Sequence, residues 1–146
     1  MNRTMRFAVL LLTLLLPLTA TAETNLEFGT FSADVVRGGI DFTPNLLELE
    51  GETIRMVGYM APPLKPRVEW FVLTREPLAT CPYCSDAAEW PADVVFVRLP
   101  SGRTANTEAH NTLIEVIGRL ELGIDQTEEE GLSLIRLIDV RVQRVR

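Results

Sequence analysis

Two cysteines, Cys81 and Cys84, are the only thiols of the chain, and Pro82 and Tyr83 separate them. Three kinds of chemistry fit this C-x-x-C spacing. In an oxidising compartment a pair this close forms a small disulfide, which would fix its own loop. At the start of a helix the pair becomes a redox site, because the helix dipole and free backbone N–H groups favour the thiolate. Two thiolates also supply half of a tetrahedral site for a soft metal, zinc or copper.

The other ligands of such a metal site must come from elsewhere in the chain. His110 is the only histidine, and Asp86 is a carboxylate that closely follows the cysteines. We therefore predict Cys81, Cys84, His110 and Asp86 as the metal-ligand set, with Met56 and Met60 as further candidates for copper(I). A solvated loop position is the alternative for His110, and a structural disulfide or a redox pair remains the alternative for the cysteines.

No catalytic residue is predicted. With a single histidine the acid–base options are few, no Ser-His-Asp arrangement is evident, and no glycine-rich loop could cradle a phosphate. An aromatic binding face is a further hypothesis, with core packing as its alternative. These observations favour a non-enzymatic binding role and leave the enzyme question open. The aromatic candidates are Tyr59, Trp70, Phe71, Trp90 and Phe96.

The first 22 residues have the three parts of a secretory signal. Arg3 and Arg6 precede an apolar run over residues 7–18, and Ala20-Thr21-Ala22 offers small residues for cleavage. A membrane anchor is the weaker alternative, because a span needs about 20 apolar residues. We therefore predict a periplasmic or secreted protein that begins near Glu23 and has no membrane span after cleavage.

Removal of this segment makes the protein more acidic. It contains two arginines and no acid, so the net charge falls from −6 to −8. An acidic domain repels phosphate backbones, which excludes nucleic acid as a predicted partner. The predicted partner is an envelope protein or a small ligand.

Residues 23–50 form a lead-in segment with one short helix. Thr43 is its predicted cap, Pro44 its first residue and Gly51 its stop, and one short strand could precede it. A second short helix is possible over residues 85–90, just after the cysteines.

Residues 51–146 are predicted as one mainly β domain. Gly118 falls on the inward face of one strand and suggests a bend or a close backbone approach, and a bulge is expected near Arg136. Residues 125–131 are predicted as a polar loop. Five strands in this length predict a small five-stranded OB-like barrel, a fold that binds oligonucleotides or oligosaccharides in other proteins. The five strands are Thr53–Met60, Val68–Thr74, Val94–Leu99, Leu113–Leu122 and Leu132–Val145.

Residues 49–62, LEGETIRMVGYMAP, resemble the opening of a bacterial family of exported domains of unknown function. In that family an L-x-G-x-x-V/I-x-x-x-G-Y/F-x-x-P segment leads to F-x-L-x-R/P and then to a cysteine-containing loop. Residues 71–75, FVLTR, and the cysteine pair fall at the matching places. The resemblance implies an OB-like barrel and no particular activity. Separately, the tetrapeptide CPYC alone resembles that of glutaredoxins.

Together these patterns predict an exported binding or accessory module of the bacterial envelope. Its ligand is not predicted by these patterns. A small structural disulfide or two reduced thiols is the favoured interpretation of Cys81 and Cys84, and a soft metal bound through the CPYC loop and thiol–disulfide exchange are its two rivals.

Overall fold

A computed structural model describes residues 22–62, 67–79, 91–106, 110–127 and 131–145. In these ranges the chain is mainly β, with one short helix. No helix within them has the length and apolar character needed to cross a membrane. The second predicted helix, over residues 85–90, lies outside the described residues.

The N-terminal segment is more regular than the sequence predicts. It contains β1 (Thr24–Asn25), β2 (Ala33–Val36), β3 (Gly39–Phe42) and α1 (Pro44–Glu48). β2 and β3 form an antiparallel hairpin, which the sequence analysis did not predict. The helix lies where it was predicted, with Thr43 at the N-cap and Pro44 in its first turn.

The strands after residue 51 largely confirm the sequence prediction. They are β4 (Thr53–Met60), β5 (Arg67–Val68), β6 (Trp70–Thr74), β7 (Val95–Arg98), β8 (Ala105–Asn106), β9 (Leu113–Thr127) and β10 (Gly131–Arg144). The short strands β5 and β8 pair with each other in a separate two-stranded sheet.

The main sheet folds back on itself. Its six strands run in the order β1-β4-β6-β7-β10-β9, and β9 also pairs with β4. All neighbours among β4, β6, β7, β9 and β10 are antiparallel except β7 and β10, which are parallel. β4, β7 and β10 terminate at one end of this sheet, where β6 and β9 begin. We call this the upper end and the opposite end the lower end.

One hydrophobic core fills the interior. Ile54 and Met56 of β4 and Ile114, Val116 and Leu120 of β9 are buried in it, as the alternation of apolar residues predicts. Gly118 is a point of close approach: a Cβ there would lie 2.6 Å from Val140 Cγ1 and 2.8 Å from the Ile138 carbonyl oxygen. The predicted backbone contact at this glycine is therefore confirmed.

The β9–β10 hairpin is longer than predicted. β9 continues through residues 125–127, which the sequence analysis assigned to a polar loop. Strand pairing explains the difference, since Thr127 faces Gly131 and Asp125 faces Ser133 across the hairpin. The pairing register shifts between Ser133 and Ile135 and again between Ile138 and Arg141, so the predicted bulge is present on both sides of Arg136.

Candidate binding groove

A groove of about 680 Å³ opens at the upper end of the sheet. Residues from five parts of the chain form it, because β4, β6, β7, β9 and β10 either begin or end there. Its lining contains the end of β4, the start of β6, the segment after β7, the start of β9 and the last residues of β10. We call it the upper groove. Its volume lies in the range of sites that bury small molecules.

The floor of the upper groove belongs to the main core. Met60, Phe71, Ile114 and Val140 line it, and each of them is buried. Leu99 and Val142 line it as well and pack against the same core from partly buried positions. A ligand in this groove would therefore contact mainly Leu99 and Val142, because the other floor residues are buried.

The rim of the upper groove is basic. Arg103, Arg141 and Arg144 line it, together with the polar residues Thr104 and Gln143, and among the described residues none of the lining is acidic. The Arg141 guanidinium is engaged by Glu23 at 3.0 Å. Arg103 and Arg144 form no ion pair within the described ranges. Two arginines of the rim thus remain available to an anion.

A polar network continues outward from this rim. Glu115 accepts hydrogen bonds from Gln143 and from Arg55, and the second Arg55 amino group contacts Glu23. The hydrogen bond from Gln143, with that from Arg55, holds the pKa of the Glu115 carboxyl below its ordinary value. Glu23 therefore joins β4, through Arg55, to the end of β10, through Arg141.

The opposite end of the sheet is occupied by α1. Leu46 of this helix is fully buried in the main core. Just after the helix, the Gly51 N–H donates to the Leu120 carbonyl at 2.9 Å, and the Leu120 N–H donates to the Glu52 carbonyl at 3.0 Å. The chain thus closes this end with its own residues.

The proposed aromatic face is divided between two environments. Phe71 lies in the main core, which supports the core alternative for this residue. Trp70 and Phe96 stack with ring centroids 6.1 Å apart and belong to a second, smaller hydrophobic cluster with Val72. Phe96 is almost completely buried, so this stack offers little open surface. Trp90 lies outside the described residues.

The predicted metal ligands are only partly described. Cys81, Cys84 and Asp86 lie outside the described residues, and His110 is exposed. Among the described residues no three His, Cys, Asp or Glu side chains are grouped as a metal site. Met56 and Met60 are buried in the main core, which supports a packing role for them, and the copper(I) role stays a prediction.

One contact links His110 to the segment that leads to the cysteines. The side chain of its neighbour Asn111 accepts a hydrogen bond from the Leu78 N–H at 3.2 Å and donates one to the Leu78 carbonyl at 3.0 Å. Leu78 precedes Cys81 by three positions in the sequence. Asn111 has a left-handed φ of 57°, which asparagine tolerates better than most residues.

The sequence analysis did not find the upper groove. Its floor residues look like ordinary strand residues, and its arginines are far apart in the chain. A weak signal was present, since Arg141 and Arg144 are basic residues at the end of the last strand of an acidic protein. The chain matches no family model, no curated protein and no solved structure.

Proposed function

We propose that this chain is an exported binding module with an OB-like barrel fold, and that it holds a small ligand in the upper groove. The pairing order supports the fold, because five strands joined in the order β4-β6-β7-β10-β9 and back to β4 match a five-stranded barrel with one parallel pair. Small ligands commonly bind in the mouths of barrels.

The observation that carries the proposal is that apolar residues of the main core line an open groove. Leu99 and Val142, which pack against the main core from partly buried positions, line a groove of about 680 Å³ together with the buried residues Met60, Phe71 and Ile114. A binding role is favoured over catalysis by the lining itself. In the part of the chain that the structure describes, the lining contains no histidine, cysteine, serine or carboxylate that could form a nucleophile–base pair.

A neutral apolar dye tests the site. Nile red should gain fluorescence with the purified protein, and Thr104→Trp, which places an indole at the rim, should abolish the gain. Thr24→Trp is the matched control, because Thr24 is an exposed residue of β1 outside the groove. Circular dichroism verifies that both variants fold. If the two variants bind the dye equally, the upper groove is not the site.

Export is part of the proposal and has a separate test. The described contacts support a mature chain beginning at Glu23, because this residue contacts Arg55 and Arg141 and the next two residues pair with β4. Mass spectrometry of the protein from a bacterial periplasmic fraction should give an N-terminus at Glu23. Retention of residues 1–22 on a cytoplasmic protein would contradict export.

A soft-metal site at Cys81 and Cys84 is the second candidate function, favoured by the two hydrogen bonds between Asn111 and Leu78. These bonds place His110 next to the segment that precedes the cysteines. Purified protein should then contain zinc or copper in stoichiometric amount by elemental analysis, and Cys81→Ser and His110→Gln should each reduce it.

Thiol–disulfide exchange remains the alternative for the same pair. A redox site predicts metal-free protein whose cysteines cycle at a potential above about −300 mV, the region of structural disulfides. If the protein contains no metal and shows no such cycling, the pair is structural and the binding function rests on the upper groove alone.

A further inference from the structure

We infer that the upper groove selects a small amphipathic anion, a carboxylate or similar monoanion attached to a short aliphatic chain. This inference rests on the proposed binding function and adds the chemical class of the ligand. It follows from two properties of the groove that occur together, an apolar floor and a basic rim.

The floor accounts for the aliphatic part. The side chains that line it are aliphatic, aromatic or thioether groups of the main core, with no buried polar atom among them. A chain of methylene groups can replace water over such a surface without leaving a donor or acceptor unsatisfied, whereas the hydroxyl groups of a sugar would find no partner there. The interior of the groove therefore disfavours a polyhydroxylated ligand.

The rim accounts for the charge. Within the described ranges Arg103 and Arg144 have no ion-pair partner, and no carboxylate of those ranges lines the groove to neutralise them. A guanidinium presents paired N–H donors in a geometry that fits a carboxylate. A cationic ligand would meet like charge at this rim.

The acidic character of the whole protein sharpens the selection. With a net charge of −6, the chain repels anions at long range, so a basic rim is an exception to its surroundings. A small anion is attracted by the two arginines only when it reaches the rim. Contact of its own aliphatic chain with the groove floor holds it there. Polyanions such as nucleic acid extend over the acidic surface and lose this advantage.

Three probes that share one chain test the ligand class. Decanoate, decanol and decylammonium, each below its micellar concentration, are titrated into the purified protein by calorimetry. Decanoate should bind at least about tenfold more tightly than the other two, and added salt should weaken its binding.

Two variants connect this preference to the rim. Arg103→Gln and Arg144→Gln should each weaken decanoate binding by about fivefold and leave decanol binding unchanged. Arg37→Gln is the control, because Arg37 is an exposed arginine in the β2–β3 turn, outside the groove.

The outcomes separate the two proposals. Equal binding of decanoate and decylammonium overturns the ligand class while the groove remains the binding site. Loss of decanoate binding in the Arg37 variant alone would place the anion outside the groove and also overturns this inference. Nile red binding that Thr104→Trp abolishes, without binding of any of the three probes, likewise overturns only the ligand class. If neither the dye nor the probes bind, both proposals fail.

Discussion

Apolar core residues lie at both ends of the folded sheet, but the two ends are covered differently. At the lower end, Leu46 of α1 is fully buried and the backbone of residues 51 and 52 bonds to Leu120. At the upper end, Met60, Phe71 and Ile114 line an open groove. One end is covered by a helix of the chain itself, whereas the other end is an open groove.

This difference separates stability from binding. Residues that close the lower end lose their contacts only by unfolding, so we expect them to dominate the free energy of unfolding. Residues at the upper rim are exposed, and substitution of such residues usually changes stability by less than about 0.5 kcal/mol. Three predictions test this division, beginning with the largest effect.

Leu46→Ala should destabilise the protein by about 2–5 kcal/mol, because it removes a fully buried side chain and leaves a cavity at the closed end. Leu47→Ala is the matched control. Leu47 is 52% exposed, so its replacement should change the free energy of unfolding little. Urea denaturation followed by circular dichroism measures both. If the two variants are equally stable, α1 does not close the lower end and the comparison fails.

Gly118→Ala should cost about 1–3 kcal/mol, since the added methyl group would press against Val140 and the Ile138 carbonyl oxygen. Gly39→Ala is the control, because nothing lies within 4 Å of a Cβ at that position. Val140 also lines the upper groove, so Gly118→Ala should weaken dye binding as well. A normal affinity for the dye in a destabilised protein would show that the contact between Gly118 and Val140 does not affect the groove.

The smallest expected effect is on the pH dependence of stability. The lowered pKa of Glu115, caused first by its hydrogen bond from Gln143, favours the charged carboxylate in the folded state. This contribution is present above the pKa of the unfolded chain and is lost as pH falls through the lower, folded pKa. Glu115→Gln should therefore reduce the loss of stability on acidification.

Urea denaturation at neutral and acidic pH measures this difference. Glu50→Gln is the control, because Glu50 is exposed and forms no ion pair among the described residues. An unchanged pH profile in Glu115→Gln would mean that the network beside the groove contributes nothing to stability in acid.

Strand positions could be predicted from the sequence wherever one face of the strand is buried. β4 begins and ends at the predicted residues, because Ile54 and Met56 alternate with polar residues. The β2–β3 hairpin was missed because its residues are mostly exposed, so glycines 38 and 39 looked like loop residues. The last part of β9 was missed because Asp125 is polar, although it pairs with Arg98 at 2.6 Å.

The inward face of β10 could not be fixed from the sequence. Near Arg136, apolar residues occupy both odd-numbered and even-numbered positions, so their alternation does not show which set faces inward. The pairing of β10 with β9 and β7 determines it. Ile135 and Leu137 face the core. Arg136 is also buried, and its guanidinium donates hydrogen bonds to carbonyl oxygens such as that of Gly123, at 2.7 Å. The upper groove was missed for a related reason: it joins residues that are distant in the chain.

The two register shifts of the β9–β10 hairpin determine where the chain length can change. The first places an extra residue in β9, next to Gly123, and the second places one in β10, next to Asp139; both residues have positive φ. Elsewhere in these strands, insertion or deletion of one residue would turn every following side chain to the other face. Loss of Asp139 removes a bulge, whereas loss of Gly123 also removes a carbonyl that accepts a hydrogen bond from the buried Arg136. In evolution, a single-residue deletion should therefore be tolerated at Asp139 first, at the expense of curvature.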